Sequence, residues 1–393
     1  MLRSMSRRPR AEGGPSSGDS AEDYEPEKSR RPKDTPFRQQ RVSSFLPILR
    51  PGIVVGIFLA IGVVFVPLGK WFMDESDTVV EYTVRYDVDS EDVIGCEIEE
   101  SNEGGQCTVE IEVEEYMSPP IYVYYKLDNF YQNHRRYVKS RSSSQLLGKT
   151  VVPDDFCDPL SQDEDGLDLN PCGLIANSMF NDIITLISED VNMSEKDISW
   201  ESDREERFKQ PPGFVYVVVG EGDCSEDSTC DECLSGDNSP YEDCESYWDE
   251  AANKTYKYWY PDNNTTTFLY ETYGDIVSPI EGVLNEHFIV WMRTAGLSQF
   301  RKVYGRIDEE LSPPQVLKFN ITSNFNVADF SGKKSLVVSN LSLMGARNPY
   351  LGIAYIALGS LSLAIGVAFA IKHLANPRKL GDTKFLVWKD TTM

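Results

Sequence analysis

The sequence predicts a membrane protein with two transmembrane helices and a large, β-rich, disulfide-bonded and glycosylated ectodomain, antiparallel and sandwich-like, with short helices. Three observations carry this. Two long apolar runs stand near the ends of the 393 residues, at 51–73 and 350–371. All eight cysteines lie between them. The segment between them opens on apolar residues that alternate with polar ones, the period of a strand with one wet face.

Taken in order, residues 1–36 are rich in Arg, Ser, Pro, Gly and Glu and hold almost no large apolar side chain. They cannot bury enough surface to offset the entropy of ordering, so a mostly disordered tail, 1–50, is expected. Its end, PFRQQRVSSFLPILRP at 36–51, is basic and aromatic. Arg38, Arg41 and Arg50 suit lipid headgroups. The sharper reading makes Phe37, Arg38, Gln39, Gln40 and Arg41 a docking site for another membrane protein.

The first run lies too far from the N-terminus for a signal peptide, and no small-residue cleavage site follows it, so it reads as a signal anchor. Gly52, Gly56 and Ala60 fall four apart on one helical face, where a second helix could approach closely. The second run, YLGIAYIALGSLSLAIGVAFAI, holds no charged residue, and Lys372 and His373 follow at once. At 1.5 Å per residue it can cross an apolar layer of ~30 Å, and a backbone in lipid must satisfy its own hydrogen bonds, so it is a helix. Gly352, Gly359 and Gly366 fall seven apart on one face and are a candidate partner surface. Two spans cannot enclose a pathway, and neither has an ionisable residue in its interior, which excludes a lone pump or carrier.

The chain carries a net −25, yet residues 1–50 hold +4 and residues 372–393 hold +3; with Lys70 in the first span, the segment between must carry −33. The positive-inside rule then puts both tails in the cytosol and residues 74–349 in a lumen or outside the cell. So acidic a domain excludes nucleic acid as a partner and flat docking on anionic lipid.

Within 74–349, Val80, Tyr82, Val84, Tyr86 and Val88 alternate with polar residues, as do Cys107, Val109, Ile111 and Val113. Residues 121–125 and 214–219 are continuous apolar stretches, expected to be deeply buried strands; residues 288–292, 317–321 and 335–341 add three more. Long connections between strands favour an antiparallel sandwich over βαβ units. Asn129 could cap a helix over 130–139, and Asn177 lies in a second apolar stretch, 174–187, read as helical. Residues 221–283 are acidic, rich in Tyr and Asn, hold four cysteines and lack a long apolar run; they read as a disulfide-held insertion.

An oxidising compartment makes disulfides of the cysteines. Cys96 and Cys107 flank a Glu- and Gly-rich loop, and Cys157 and Cys172 close a second. Cys224, Cys230, Cys233 and Cys244 include a Cys-x-x-Cys, but Asp231 and Glu232 oppose the low thiol pKa that redox chemistry needs. Structural bonds are expected there, and spacing leaves their pairing open. Sequons stand at Asn192, Asn253, Asn263, Asn264, Asn320 and Asn340, the third and fourth overlapping. DEDGLDLN at 163–170 has calcium-like composition without the full loop pattern, so a solvated loop is expected. His134 and His287 lack Ser or Asp partners at motif spacing and read as structural. No phosphate-cradling Gly loop is present, and GDTK at 381–384 is not a phosphorylation motif. No catalytic residue, cofactor or metal ligand is expected.

The stretches PFRQQR (36–41), LDNFYQNHRRYVKSR (127–141), NPCGLIANSMFND (170–182), ISWESD (198–203), EHFIVWMRTAGLSQFRKVYGRI (286–307) and NPYLGIAYIALGSL (348–361) occur in this order. Through them the chain resembles the cell division control protein 50 and ligand-effect modulator family, accessory β-subunits of type IV P-type ATPase phospholipid flippases. The resemblance covers nearly all of 36–371. It implies two cytosolic termini, a glycosylated β-rich ectodomain, Cys96–Cys107 and Cys157–Cys172 as paired disulfides, and an ATPase catalytic subunit as partner, with lipid around the spans. The 221–283 region has no counterpart in the pattern. The competing class, a free-standing receptor or adhesion glycoprotein, fits the topology equally but not the match of tail, spans and ectodomain to one family.

Overall fold

The computed structural model describes residues 34–42, 50–88, 93–94, 105–188, 190–221 and 245–377. Two 27-residue helices, α1 (Pro51–Asp77) and α7 (Pro349–Ala375), bracket everything else. Both are long and apolar enough to cross a bilayer. Proline at the first turn of each needs no donor partner there, and Asn348 Oδ1 caps α7 by accepting from Tyr350 N–H at 3.2 Å.

The core of the ectodomain is its two largest sheets, packed face to face. One has the order β1 (Glu81–Arg85), β14 (Lys333–Asn340), β4 (Ile121–Asp128), β12 (Phe300–Ile307) and β7 (Met193–Ser194). The other runs β2 (Val93–Ile94), β3 (Gly105–Val113), β13 (Gln315–Ser323) and β6 (Ile183–Leu186). Every pairing in both is antiparallel. The alternation read from the sequence is the burial pattern of β3: Cys107, Val109, Ile111 and Val113 point inward while Glu110 and Glu112 face water. They meet Val123, Tyr125, Leu336 and Val338 of the opposite sheet in one core.

Between the sheets Asp182 and Lys334 form a fully buried ion pair at 2.7 Å. Tyr86 OH and Lys334 Nζ both donate to Asp182 Oδ2, and the backbone N–H groups of Asn324 and Phe325 donate to Oδ1. Ser323 Oγ accepts a further hydrogen bond from Lys334 Nζ. Burial lowers the Lys334 pKa, against the pull of Asp182. A charge so buried persists only with this many partners.

Four expectations are corrected. Residues 288–292 are not a strand but lie in α6 (Glu286–Met292). A short apolar run does not distinguish the two, and the ends decide: Asn285 accepts from Phe288 N–H, and Lys302 Nζ donates to the carbonyls of Val290, Trp291 and Arg293. Burial and the nearby Arg293 lower the Lys302 pKa to about 7. Residues 130–139 are helical only in α2 (Arg135–Lys139), since Asn129 is left-handed at φ +65 and its Nδ2 donates to Phe330 O. The stretch 174–187 is one turn at Ala176–Ser178 followed by β6. The strand over 214–219 is β8 (Val215–Glu221), which pairs with β10 (Lys254–Trp259) and, through it, β9 (Glu245–Asp249); it is an edge strand with Tyr216 and Val218 exposed rather than deeply buried.

The 221–283 region is also no separate insertion where it is described. Tyr258, Tyr260, Phe268, Leu269, Tyr270 and Val277 belong to the main core. The strand β11 (Thr266–Phe268) pairs in parallel with β5 (Asp168–Asn170), and α5 (Leu269–Thr272) follows it. Tyrosine carries the burial that aliphatic residues carry elsewhere, with hydroxyls finding partners: Tyr260 OH donates to Pro279 O at 2.7 Å.

Candidate partner interface

The two long helices are antiparallel and meet through glycine. A Cβ on Gly62 would lie 2.9 Å from Gly359 O, one on Gly69 2.9 Å from Gly352 O, and one on Gly352 2.8 Å from Gly69 O. Gly359 sits against Phe65 and Val66, and Gly366 against Leu59. Gly62, Gly69 and Ser76 are the residues of α1 buried in this seam, facing Gly352, Gly359 and Gly366 of α7. Both sets repeat every seven residues, the period that keeps one seam facing a partner helix. The Gly352, Gly359 and Gly366 face is therefore a helix-packing surface, but its occupant is the chain's own first span, and the expectation that it meets a second protein is corrected on that ground. Gly62, Gly69 and Ser76 went unread although their seven-residue spacing is visible in the sequence. Gly52 and Gly56, by contrast, have open space where a Cβ would stand.

Phe65 and Phe72 of α1 pack on Tyr355 of α7 at 5.0 and 5.2 Å, and Phe58 on Phe369 at 6.1 Å. At the ectodomain end, Asn348 N–H donates to Ser76 Oγ and Leu343 N–H to Glu75 Oε1, so the spans and the sheet leave from one joint. The outward faces hold Ile53, Ile57, Val63 and Val64 of α1 and Ile353, Leu358, Leu361 and Val367 of α7, all exposed. The basic approach to the first span forms a turn over 36–40; Phe37 is 84% exposed, Arg38 and Gln40 are exposed, Gln39 is half-buried, and Arg41 pairs with Asp34.

In the ectodomain the family-like stretches converge on one another. Trp291 Nε1 donates to Ile175 O at 2.8 Å, joining 286–307 to 170–182. Gln132 Oε1 accepts from Ala295 N–H, and Tyr137 OH bonds Ser178 Oγ, joining both to 127–141. Phe130 is the hub of a ring cluster with Tyr137, Trp291, Phe300, Phe325 and Phe330. The stretch 198–203 is clamped by Glu286, which accepts from Asp197 N–H, Ser199 N–H, Ser199 Oγ and Arg204, just before α4 (Glu201–Glu206). Burial raises the Glu286 pKa, but these bonds outweigh it and leave the carboxyl below its ordinary value. Arg293 lies 3.6 Å above the exposed Trp200 ring and pairs with Asp203 at 2.5 Å. Most of these residues thus set the fold. His287 belongs with them, its Nε2 2.8 Å from Glu195 and its ring on Tyr304, while His134 is exposed.

Cys157 and Cys172 are bonded, with Cα atoms 5.6 Å apart. The loop they close is fastened by Gln145 of α3 (Ser143–Leu146), whose Nε2 donates to Leu169 O and whose Oε1 accepts from Cys172 N–H, while the cap Ser142 donates to Asp154 just before the loop. Cys107 is disulfide-bonded too; Cys96, Cys224, Cys230, Cys233 and Cys244 lie outside the described residues. The DEDGLDLN loop is folded on its own first residue: Asp163 accepts from Asp165 N–H, Leu167 N–H and Thr267 Oγ1. Among the sequons, Asn192, Asn253 and Asn264 are exposed and Asn263 and Asn320 half-buried. Asn340 is 5% exposed and its Oδ1 accepts from Val80 N–H at 2.8 Å, leaving a glycan no room in the folded sheet, contrary to expectation.

Comparison with known proteins bears on what these surfaces meet. Residues 72–379 match the LEM3 (ligand-effect modulator 3) family / CDC50 family. The chain is 35% identical over 384 residues to ALA-interacting subunit 3 of Arabidopsis thaliana, covering 96% of this chain and 95% of that one. It is 34% identical over 363 residues to cell cycle control protein 50A of Mus musculus, covering 88% and 89%. It is 28% identical over 436 residues to the phospholipid-transporting ATPase accessory subunit CDC50 of Chaetomium thermophilum, covering 97% of each.

Proposed function

This chain belongs to the LEM3/CDC50 family, and on that premise we propose that it is the non-catalytic accessory subunit of a type IV P-type ATPase phospholipid flippase. It forms a heterodimer with the catalytic subunit, which holds the nucleotide and the lipid path. Both termini lie in the cytosol, and the acidic ectodomain lies in the lumen of the endoplasmic reticulum, Golgi or endosomes, or outside the plasma membrane. The observation that carries this is similarity along nearly the whole chain to a relative named as such a subunit. The architecture supports it. The two spans pack on each other without a gap for even one Cβ, which leaves no room for a conduit between them. Their apolar outer faces and the open Gly52 and Gly56 positions offer a partner helix close approach.

The mechanism is binding. A subunit that binds the folded pump and not the unfolded one stabilises it by mass action, roughly 2.7 kcal/mol at a hundredfold excess over Kd. That favours folding and exit from the endoplasmic reticulum. Contacts that differ between pump states bias its cycle and so support lipid translocation. Deleting this chain is expected to leave the partner ATPase in the endoplasmic reticulum, scored by its glycan processing and by uptake of labelled phospholipid. A pump that reaches its membrane and flips lipid at the normal rate would overturn the proposal.

A further inference from the structure

The stretch 127–141 is not wholly used by the fold. Its aromatics turn inward, but Arg135, Arg136, Lys139 and Arg141 are exposed, and among the described residues none of the four has an ion-pair or hydrogen-bond partner for its side chain. In a segment that carries a net −33, four unpaired cations within seven residues are a local reversal of sign. One of them, Arg136, stands with His134 on the wall of a groove of about 450 Å³ whose floor is apolar, made by Phe130, Tyr137, Leu174, Pro159 and Phe330; Arg135, Lys139 and Arg141 follow or precede it within five residues of the same exposed stretch. No carboxylate lines it. Tyr131, 57% exposed, stands at its edge.

The sheet fixes where this groove faces. β1 begins four residues after α1 ends, and β14 runs back towards α7, so Glu81, Ser339 and Asn340 mark the end near the spans. In the register of β4 with β14, Ile121 pairs with Asn340 at that end and Asp128 with Lys333 at the other, seven residues away. At ~3.3 Å per residue the strands carry Asp128 on the order of 23 Å further from the spans. Asn129, Phe130 and Phe330 adjoin those far strand ends and line the groove, so its occupant comes from the aqueous side and not from a lipid headgroup.

We propose that the groove beside α2 is a docking site for an acidic polypeptide segment with one apolar anchor, the anchor entering between Phe130, Leu174 and Phe330 and the carboxylates pairing with Arg135, Arg136, Lys139 and Arg141. Unpaired cations around an apolar pocket with an exposed tyrosine are the composition of an interface hot spot, and charges of opposite sign set encounter rate and register. The inference takes from the proposed function only that the spans lie in a membrane. It does not need the ATPase.

The test uses the full chain in a phosphatidylcholine nanodisc and a fluorescein-labelled peptide of eight glutamates around one central tryptophan. Saturable binding is expected, weakened at least tenfold by Arg135→Glu/Arg136→Glu/Lys139→Glu and restored towards the parent value by Arg135→Lys/Arg136→Lys. Replacing the peptide's tryptophan by glycine is expected to weaken it several-fold. Because the substituted side chains are exposed and make no side-chain bond among the described residues, the melting temperature should not move. No binding, equal binding by the glutamate variant, or capture of phosphatidylserine vesicles in place of the peptide would each overturn the proposal, while leaving the heterodimer with an ATPase standing.

Discussion

At the scale of single residues, the ectodomain depends on a few polar side chains that are buried and fully partnered. Asp182 and Lys334 tie strand β14 to the loop before β6. Lys334→Met would leave Asp182 buried without its counter-charge, at a cost of about 3–5 kcal/mol. The expected result is a chain retained with immature glycans, improved when Asp182→Asn is added; a Lys334→Met chain that matures and melts like the parent contradicts it. Glu286 gives the pH dependence. Its folded pKa is depressed, so its contribution is present above the ordinary glutamate value and is lost as pH falls through the folded one. The clamp on 198–203 should therefore hold through the range above about pH 4.3. Glu286→Gln should cost roughly 1.5–3 kcal/mol near neutrality, and the difference from the parent should shrink below that pH in thermal melts. A difference that stays constant down to pH 3 would remove the carboxylate from this role. Neither network was legible in the sequence: Asp182 and Lys334 are 152 positions apart, and no local pattern announces such a pair.

At the scale of elements, legibility followed periodicity. The strands β1 and β3 and both long helices were readable because their patterns run over many residues, with one face polar in the strands and none in the helices. Element type failed where five apolar residues stood alone, as in α6, since its helix is decided by Asn285 before it and by Lys302, which is distant in sequence. The region 221–283 looked like an insertion because it is acidic and lacks a long apolar run; its core residues are mostly tyrosines scattered among polar ones, so no periodic pattern announces them. The seam of the two spans was half legible. Gly352, Gly359 and Gly366 were seen, but the α1 residues facing them were not, and so the face was given to a partner. The seam makes a sharp expectation. Met73→Cys/Gly352→Cys should cross-link within one chain at the ectodomain end of the spans, since a Cβ at Gly352 already lies 2.5 Å from Met73 Cγ. Adding Gly359→Leu and Gly366→Leu, which overpacks the seam by about 1–3 kcal/mol each, should abolish the cross-link. If it persists, the glycines are not what holds the helices together. The Cys157–Cys172 loop, 15 positions long, is expected to contribute roughly 3 kcal/mol in the chain-entropy model, so Cys157→Ser should show as retention and altered glycan processing. Normal maturation of that variant would count against the bond.

At the scale of the whole molecule, the parts describe a protein built to be held by another. Two helices seal against each other and show lipid or a partner aliphatic side chains, the aromatic rings of Trp71, Tyr350 and Phe369, and an open Gly52 and Gly56 face. They lead through one joint, at Ser76 and Asn348, into a sandwich whose far end carries a basic groove. The family-like stretches, far apart in sequence, are largely the contacts that build this sandwich. That is why a resemblance could reveal the fold while leaving the contact surfaces to the structure. The account rests on the heterodimer. Its most direct test is purification of the tagged full chain from its native membranes in mild detergent, with the co-eluting polypeptides identified and quantified by mass spectrometry. The expected result is one P-type ATPase catalytic chain per copy of this protein. A chain that elutes alone, folded and with Cys157–Cys172 intact, would contradict the account.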